Sequence, residues 1–188
     1  MKKYKLTTET LQFAGRTLHR IKAVKDFDSI KAGEFGGWIE NEKNLSQDDN
    51  AWIYGNAMVF DNAMVFDNAK VYGNANVSDY AKVYGNAEVY GNANISYYAK
   101  VYGNAVIKGD AIVHDAVDYI VFKNFWSSGR YFTWTSSNNK WSVGCFYGTG
   151  EELIKKAYAD SEKSGREYER VVRYVESILA DEKKEKSN

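Results

Sequence analysis

Alanine recurs at every sixth position from Ala51 to Ala111, and two residues after each alanine stands a valine or isoleucine, from Ile53 through Val113. Eleven hexads of the form A-x-[V/I]-x-[G/D]-[N/D], with tyrosine or alanine in a few corner slots, follow one another without an insertion. A fixed period this short marks a solenoid, because each repeat can bury its apolar side only against its neighbours. The outward positions set the size of one turn. Tyr54, Tyr72 and Tyr90 recur every eighteen residues, as do Phe66, Tyr84 and Tyr102, and the irregular corners Asp79-Tyr80 and Tyr97-Tyr98 keep the same beat. Three hexads therefore return to the same side, which predicts a three-sided prism of parallel sheets with coils about 4.8 Å apart. Alanine and the aliphatic lie two apart and share one side of a strand, the inside. Gly-Asn and Asp-Asn corners supply residues that tolerate left-handed backbone angles.

This pattern resembles the hexapeptide-repeat left-handed β-helix proteins. Gly36-Gly37-Trp38-Ile39-Glu40, followed by Asn44-Leu45-Ser46 and Ala51-Trp52-Ile53-Tyr54, looks like bacterial and phage-borne members of that class. The resemblance alone implies the handedness, since parallel crossovers are otherwise right-handed. It also implies homotrimers and, for many members, acyl transfer by a histidine base beside a coenzyme A cleft between subunits. A phage-borne setting would imply a counter-defence role, either sequestering a nucleotide-type signal or blocking a host protein.

The whole chain reads as mainly β, with an N-terminal β cap over 1–38, the β-helix over 39–116, a C-terminal α+β module over 117–180 and a disordered tail over 181–188. In the cap, Lys2 to Leu6 can pair with a strand from Arg16, across a turn at Ala14-Gly15, and Gly36-Gly37 reads as a tight turn. In the module, 117–125, 130–136 and 141–147 read as three strands. Thr149 with Glu152 opens a helix that ends near Ser164-Gly165, and a second helix follows.

Lys+Arg and Asp+Glu balance at 25 each, so no global field favours nucleic acid or an anionic membrane. The basic N-terminal segment lacks the interleaved stacking platform of a nucleic-acid site. No apolar run reaches the ~18 residues of a membrane span, and the lone Cys145 fits a reducing cytoplasm, which is the expected location. Cys145 is expected to be a buried structural thiol.

Chemistry is sparse. The sequence has two histidines; His114, beside Asp115, is a weak candidate base, because neighbours in a strand point to opposite sides and no loop leaves the hexads to shape a pocket. One cysteine and two distant histidines form no zinc site, and no cofactor is implied. Arg130, Tyr131, Trp134, Lys140 and Trp141 mix cations with aromatic faces and are the candidate binding set for a small anionic or nucleotide ligand. The outward Trp52, Tyr54, Met58, Phe60, Met64, Phe66, Tyr72, Tyr84, Tyr90 and Tyr102 are the candidate oligomer or partner face. Five of them, Trp52, Met58, Phe60, Met64 and Phe66, crowd the first coils as an apolar patch that a second subunit or the C-terminal segment should cover. The resulting expectation is a non-catalytic oligomeric binding protein. A hexapeptide-class acyltransferase and a structural component polymerising through open solenoid ends are the alternatives.

Overall fold

The computed structural model describes residues 2–126 and 129–185. The chain opens with an antiparallel hairpin, β1 (Tyr4–Phe13) and β2 (Arg16–Ala23), and β2 then pairs with β3 (Phe35–Ile39). Eleven two-residue strands follow at six-residue intervals: β4 (Trp52–Ile53), β5 (Met58–Val59), β6 (Met64–Val65), β7 (Lys70–Val71), β8 (Asn76–Val77), β9 (Lys82–Val83), β10 (Glu88–Val89), β11 (Asn94–Ile95), β12 (Lys100–Val101), β13 (Val106–Ile107) and β14 (Ile112–Val113).

These strands form three parallel sheets in the order the eighteen-residue beat predicts. Face one is β4-β7-β10-β13, face two is β3-β5-β8-β11-β14 continued by the β2-β1 hairpin, and face three is β6-β9-β12. The protein is a parallel β-solenoid. Every hexad alanine and aliphatic in these coils is at most 1% exposed, so the prism is filled by columns of alanine and of branched side chains, three of each. Burying one such aliphatic contributes about 1.5–3 kcal/mol. The corners up to Gly109 take φ > 0, at glycine, at Asp61, Asp67 and Asp79, and at Tyr97. The aspartates do more than turn the chain: Asp61, Asp67 and Asp79 each accept a hydrogen bond from the backbone N–H one coil on, at Asp79, Gly85 and Tyr97.

Two expected features of the N-terminal segment change. Gly36-Gly37 is not a turn but the middle of β3, where both residues are buried. A Cβ on Gly36 would lie 2.6 Å from the Ile53 carbonyl oxygen, and one on Gly37 would lie 2.6 Å from that of Ala57. The glycines are there because strand β3 runs against the first coil with no side chain between them. The second change concerns the apolar patch. Trp52 (1% exposed) is covered by Tyr4 and Phe27, and Phe60 (7%) by Phe13 and the Arg16 guanidinium. The chain's own N-terminus therefore covers two of the five residues, whereas Met64 stays exposed and Phe66 and Met58 half-buried.

After β14 a short 3-10 turn (Ala116–Asp118) leads into an antiparallel sheet of β15 (Tyr119–Lys123), β16 (Tyr131–Thr135), β17 (Lys140–Val143) and β18 (Phe146–Gly148). The expected third strand is two strands, because Gly144-Cys145 makes a two-residue hairpin turn between Val143 and Phe146, with Gly144 at φ 54°. Cys145 sits at that tip and is exposed, not buried. The Ser127-Ser128 part of the expected first turn lies outside the described residues.

Helices α1 (Gly150–Asp160) and α2 (Glu162–Glu185) cover one side of this sheet. The predicted Thr149–Glu152 capping box opens α1. Its end comes earlier than expected, at Ser161, whose hydroxyl accepts from the Ser164 N–H and so starts α2. Gly165 lies inside α2, where the Tyr158 ring of α1 occupies the space a side chain would need. Helix α2 runs through 181–185, where a disordered tail was expected; 186–188 lie outside the described residues.

Both ends of the prism are closed by the chain itself. In the last coil, the upward-pointing Val106 and Ile112 N–H groups donate to the Thr133 and Ser137 hydroxyls, and the Lys100 and Lys108 carbonyls accept from Tyr119 and Tyr147. At the other end Lys3, 1% exposed, donates to the Asp49 and Ala51 carbonyls and to the Asp49 carboxylate. These contacts occupy backbone groups at both ends of the prism that a further coil would otherwise meet.

Candidate functional site

The three faces of the prism carry similar side-chain types but differ in what those side chains do. On face one the polar groups are already engaged. Tyr72 donates to Glu88 at 2.8 Å, Lys70 pairs with Asp28, and Lys108 lies between the Tyr90 and Tyr147 rings. Burial, with the Glu88 hydrogen bond added, pushes the Tyr72 phenol well above its usual pKa. Tyr54, Tyr72 and Tyr90 form a ladder whose upper pair stacks at 4.4 Å.

Face three is different. Phe66, Tyr84 and Tyr102 stack along one margin at 4.9 and 5.3 Å, while Tyr80 and Tyr98 stack along the other at 5.2 Å. Between the ladders, Met64, Lys82 and Lys100 point outward one coil above another, and all three are exposed. Among the described residues neither lysine has an acidic partner within ion-pair distance. Together with Tyr80 and Tyr98 they line a groove of about 620 Å³ that ends at Asp115 and Ala116. The one carboxylate facing it, on Asp115, accepts the Ala116 N–H at 2.5 Å. Cationic ends between flat aromatic walls suit an anionic ligand or an acidic partner surface.

His114 lies at the upper corner, exposed, with its ring edge-to-face on Tyr97 at 4.7 Å. Neither neighbouring aspartate orients the imidazole. Asp115 is spent on Ala116, and Asp118 accepts the backbone N–H groups of His114 and Asp115 at 2.7 and 3.0 Å. A general base normally needs a partner to set its tautomer.

The five C-terminal candidates do not make one surface. Trp134 and Trp141, paired across β16 and β17, turn toward the helices and are 3% and 2% exposed. Their side of the sheet forms the core with Leu153, Ile154, Val172 and Val175, so they offer no stacking face. Lys140 points the other way, over the Tyr147 ring at 5.0 Å, while Tyr131 is half-buried beside Lys123 and Arg130 is exposed near the Gly144 turn. The N-terminus of α1 is taken up by its own Glu152, which accepts from the Thr149 N–H at 2.8 Å. Among the described residues no group of three or more His, Cys, Asp or Glu gathers to hold a metal ion. No described helix is long and apolar enough to cross a membrane.

The lysine pair and the Tyr80–Tyr98 margin were missing from the sequence-based binding set. The signal was present in the eighteen-residue spacing, but nothing in sequence distinguishes a free lysine from a paired one.

A family model described as YdcK Beta solenoid repeat matches residues 51–65 and 99–115, the first and last coils of the prism. The chain is a hexapeptide-repeat β-helix protein. A curated relative, "Uncharacterized acetyltransferase YdcK" of Escherichia coli (strain K12), is 39% identical over 62 residues. That match covers 29% of this β-helix protein and 19% of the relative, so the similarity is one of coils and not of whole molecules.

Proposed function

We propose that this β-helix protein is a non-catalytic binding protein whose face three receives an anionic partner. The observation that carries this reading is the stacked pair Lys82 and Lys100, without an acidic partner among the described residues, held between two aromatic ladders on a rigid, self-capped prism. The sheet backbone needs no ordering on binding, which removes one of the usual costs of association. Sequestration of a nucleotide-type signal is the specific form this reading takes. Pyrophosphate is a suitable first probe. Isothermal titration should show it binding to the native chain and roughly tenfold more weakly to the Lys82→Ala/Lys100→Ala variant, since each exposed ion pair is worth up to about 1 kcal/mol. The variant should remain as stable as the parent, because neither lysine has a partner to lose. Equal binding by both proteins, or none by either, would remove the reading.

A second reading, acyl transfer, is favoured by the name of the Escherichia coli relative. The unoriented His114 and the uninterrupted hexads speak against it. With acetyl-coenzyme A and an amine acceptor, native protein and His114→Ala should show the same background turnover. Turnover that falls a hundredfold or more in the variant, the scale of a lost general base, would favour the enzyme instead.

A further inference from the structure

The corner between faces two and three carries Asn62, Tyr80, Tyr98 and Ala116, one coil apart in that order. The tyrosine ladder therefore stops one rung short of the top. Tyr98 is 71% exposed against 53% for Tyr80, and above it Ala116 extends no further than its Cβ. The cause lies one residue away. In the coils below, Asp61 and Asp79 take the left-handed corner position and each accepts the N–H of the next coil. One coil higher the same position is Tyr97, at φ 55°, a backbone state that is costly for a bulky residue. Tyr97 has no carboxylate to offer the Asp115 N–H, which turns instead to Asp118 and draws the chain into the 3-10 turn. The corner opens, and among the described residues no ring stacks on the upper face of Tyr98.

We infer that this empty rung takes the planar ring of a small aromatic anion, with the size and chemistry of a nucleoside monophosphate, and that Lys100 and Lys82 hold its phosphate. The inference rests on the proposed binding role of face three and names its ligand class. A ring laid on Tyr98 would continue the existing ladder at its own spacing, 5.2 Å between centroids in the Tyr80–Tyr98 pair. The lysines alternate with the tyrosines two residues away along the same coils, so one ligand can meet both. The groove of about 620 Å³ is of mononucleotide scale.

Titrations with AMP, ribose 5-phosphate and pyrophosphate test it. AMP should bind at least tenfold more tightly than ribose 5-phosphate. Tyr98→Ala should weaken AMP roughly tenfold, in the range for loss of one base–aromatic stack, and leave pyrophosphate unchanged, while Tyr98→Phe retains AMP binding. Ala116→Tyr, which fills the rung, should abolish AMP binding in a folded protein. If ribose 5-phosphate equals AMP, or Tyr98→Ala leaves AMP affinity unaltered, the planar ligand is wrong although pyrophosphate binding through the lysines still stands. A single-stranded decanucleotide that binds over tenfold more tightly than AMP would overturn the small-ligand assignment in favour of nucleic acid. Failure of every anion to bind would overturn the binding role itself.

Discussion

Gly36→Ala and Gly37→Ala should each destabilise the protein by about 3 kcal/mol, at the upper end for overpacking a filled interior. Each new methyl would meet a main-chain oxygen at 2.6 Å and an isoleucine side chain at 2.5 Å, Ile21 for Gly36 and Ile53 for Gly37. The side chains can turn aside, but the Ile53 and Ala57 carbonyls belong to the first coil and cannot move without opening it. Urea denaturation measures the loss. Gly103→Asp is the control that separates crowding from backbone conformation. Gly103 has a positive φ yet open space around it, and Asp67 holds the equivalent corner two coils below at φ 61°. That substitution should change stability by less than about 0.5 kcal/mol. Equal losses at all three sites would mean that the close approach of β3 to the coil is not what requires glycine.

Lys3→Met should cost about 3–5 kcal/mol, the range for removing one partner of a buried, hydrogen-bonded charge. The Lys3 ammonium serves three acceptors of the first coil and lies over the Phe27 ring at 5.2 Å. Burial lowers its pKa from the ordinary lysine value, while Asp49 pulls the other way. Methionine keeps the volume and loses every bond, leaving the Asp49 and Ala51 carbonyls without the ammonium and the Asp49 carboxylate with the Ala51 and Asp67 N–H groups but without its ion pair. Lys2 provides the comparison. Its ion pair to Glu42 is between side chains 59% and 44% exposed, so Lys2→Met should cost under about 1 kcal/mol. A thermal or denaturant midpoint for Lys3→Met no lower than for Lys2→Met would show that the end of the prism is held without the Lys3 ammonium.

Lys2 and Lys3 show where legibility ended. Adjacent in sequence and identical in type, they read together as a basic, solvated cap, yet one is in water and the other closes the core. The difference depends on residues 49 and 51, more than forty positions away. Trp134 and Trp141 fail to be legible for the same reason: a hairpin of alternating cations and aromatics has two sides, and only helices α1 and α2 decide which becomes core. Cys145 reads as strand because a Gly-X pair inside an apolar run does not announce a turn, whereas in the fold Gly144-Cys145 forms one. The candidate groove was half visible. Its tyrosines announced themselves by the eighteen-residue beat, but that no described acid comes within ion-pair distance of Lys82 and Lys100 is a property of space.

The sequence by itself determined the coil: its six-residue side, its eighteen-residue turn, the inward alanine and aliphatic columns, the three faces and their aromatic ladders. Each of these follows from a period, and a period is a local property repeated, so every coil carries the full instruction for stacking on the next. The tertiary structure alone decided how the repetition stops. Lys3, Tyr4 and the close-packed glycines end it below, while Thr133, Ser137, Tyr119 and Tyr147 end it above by occupying hydrogen-bonding groups that no further coil will meet. An ending has no period, and its contacts join segments far apart in the chain, so it is written only in the folded molecule.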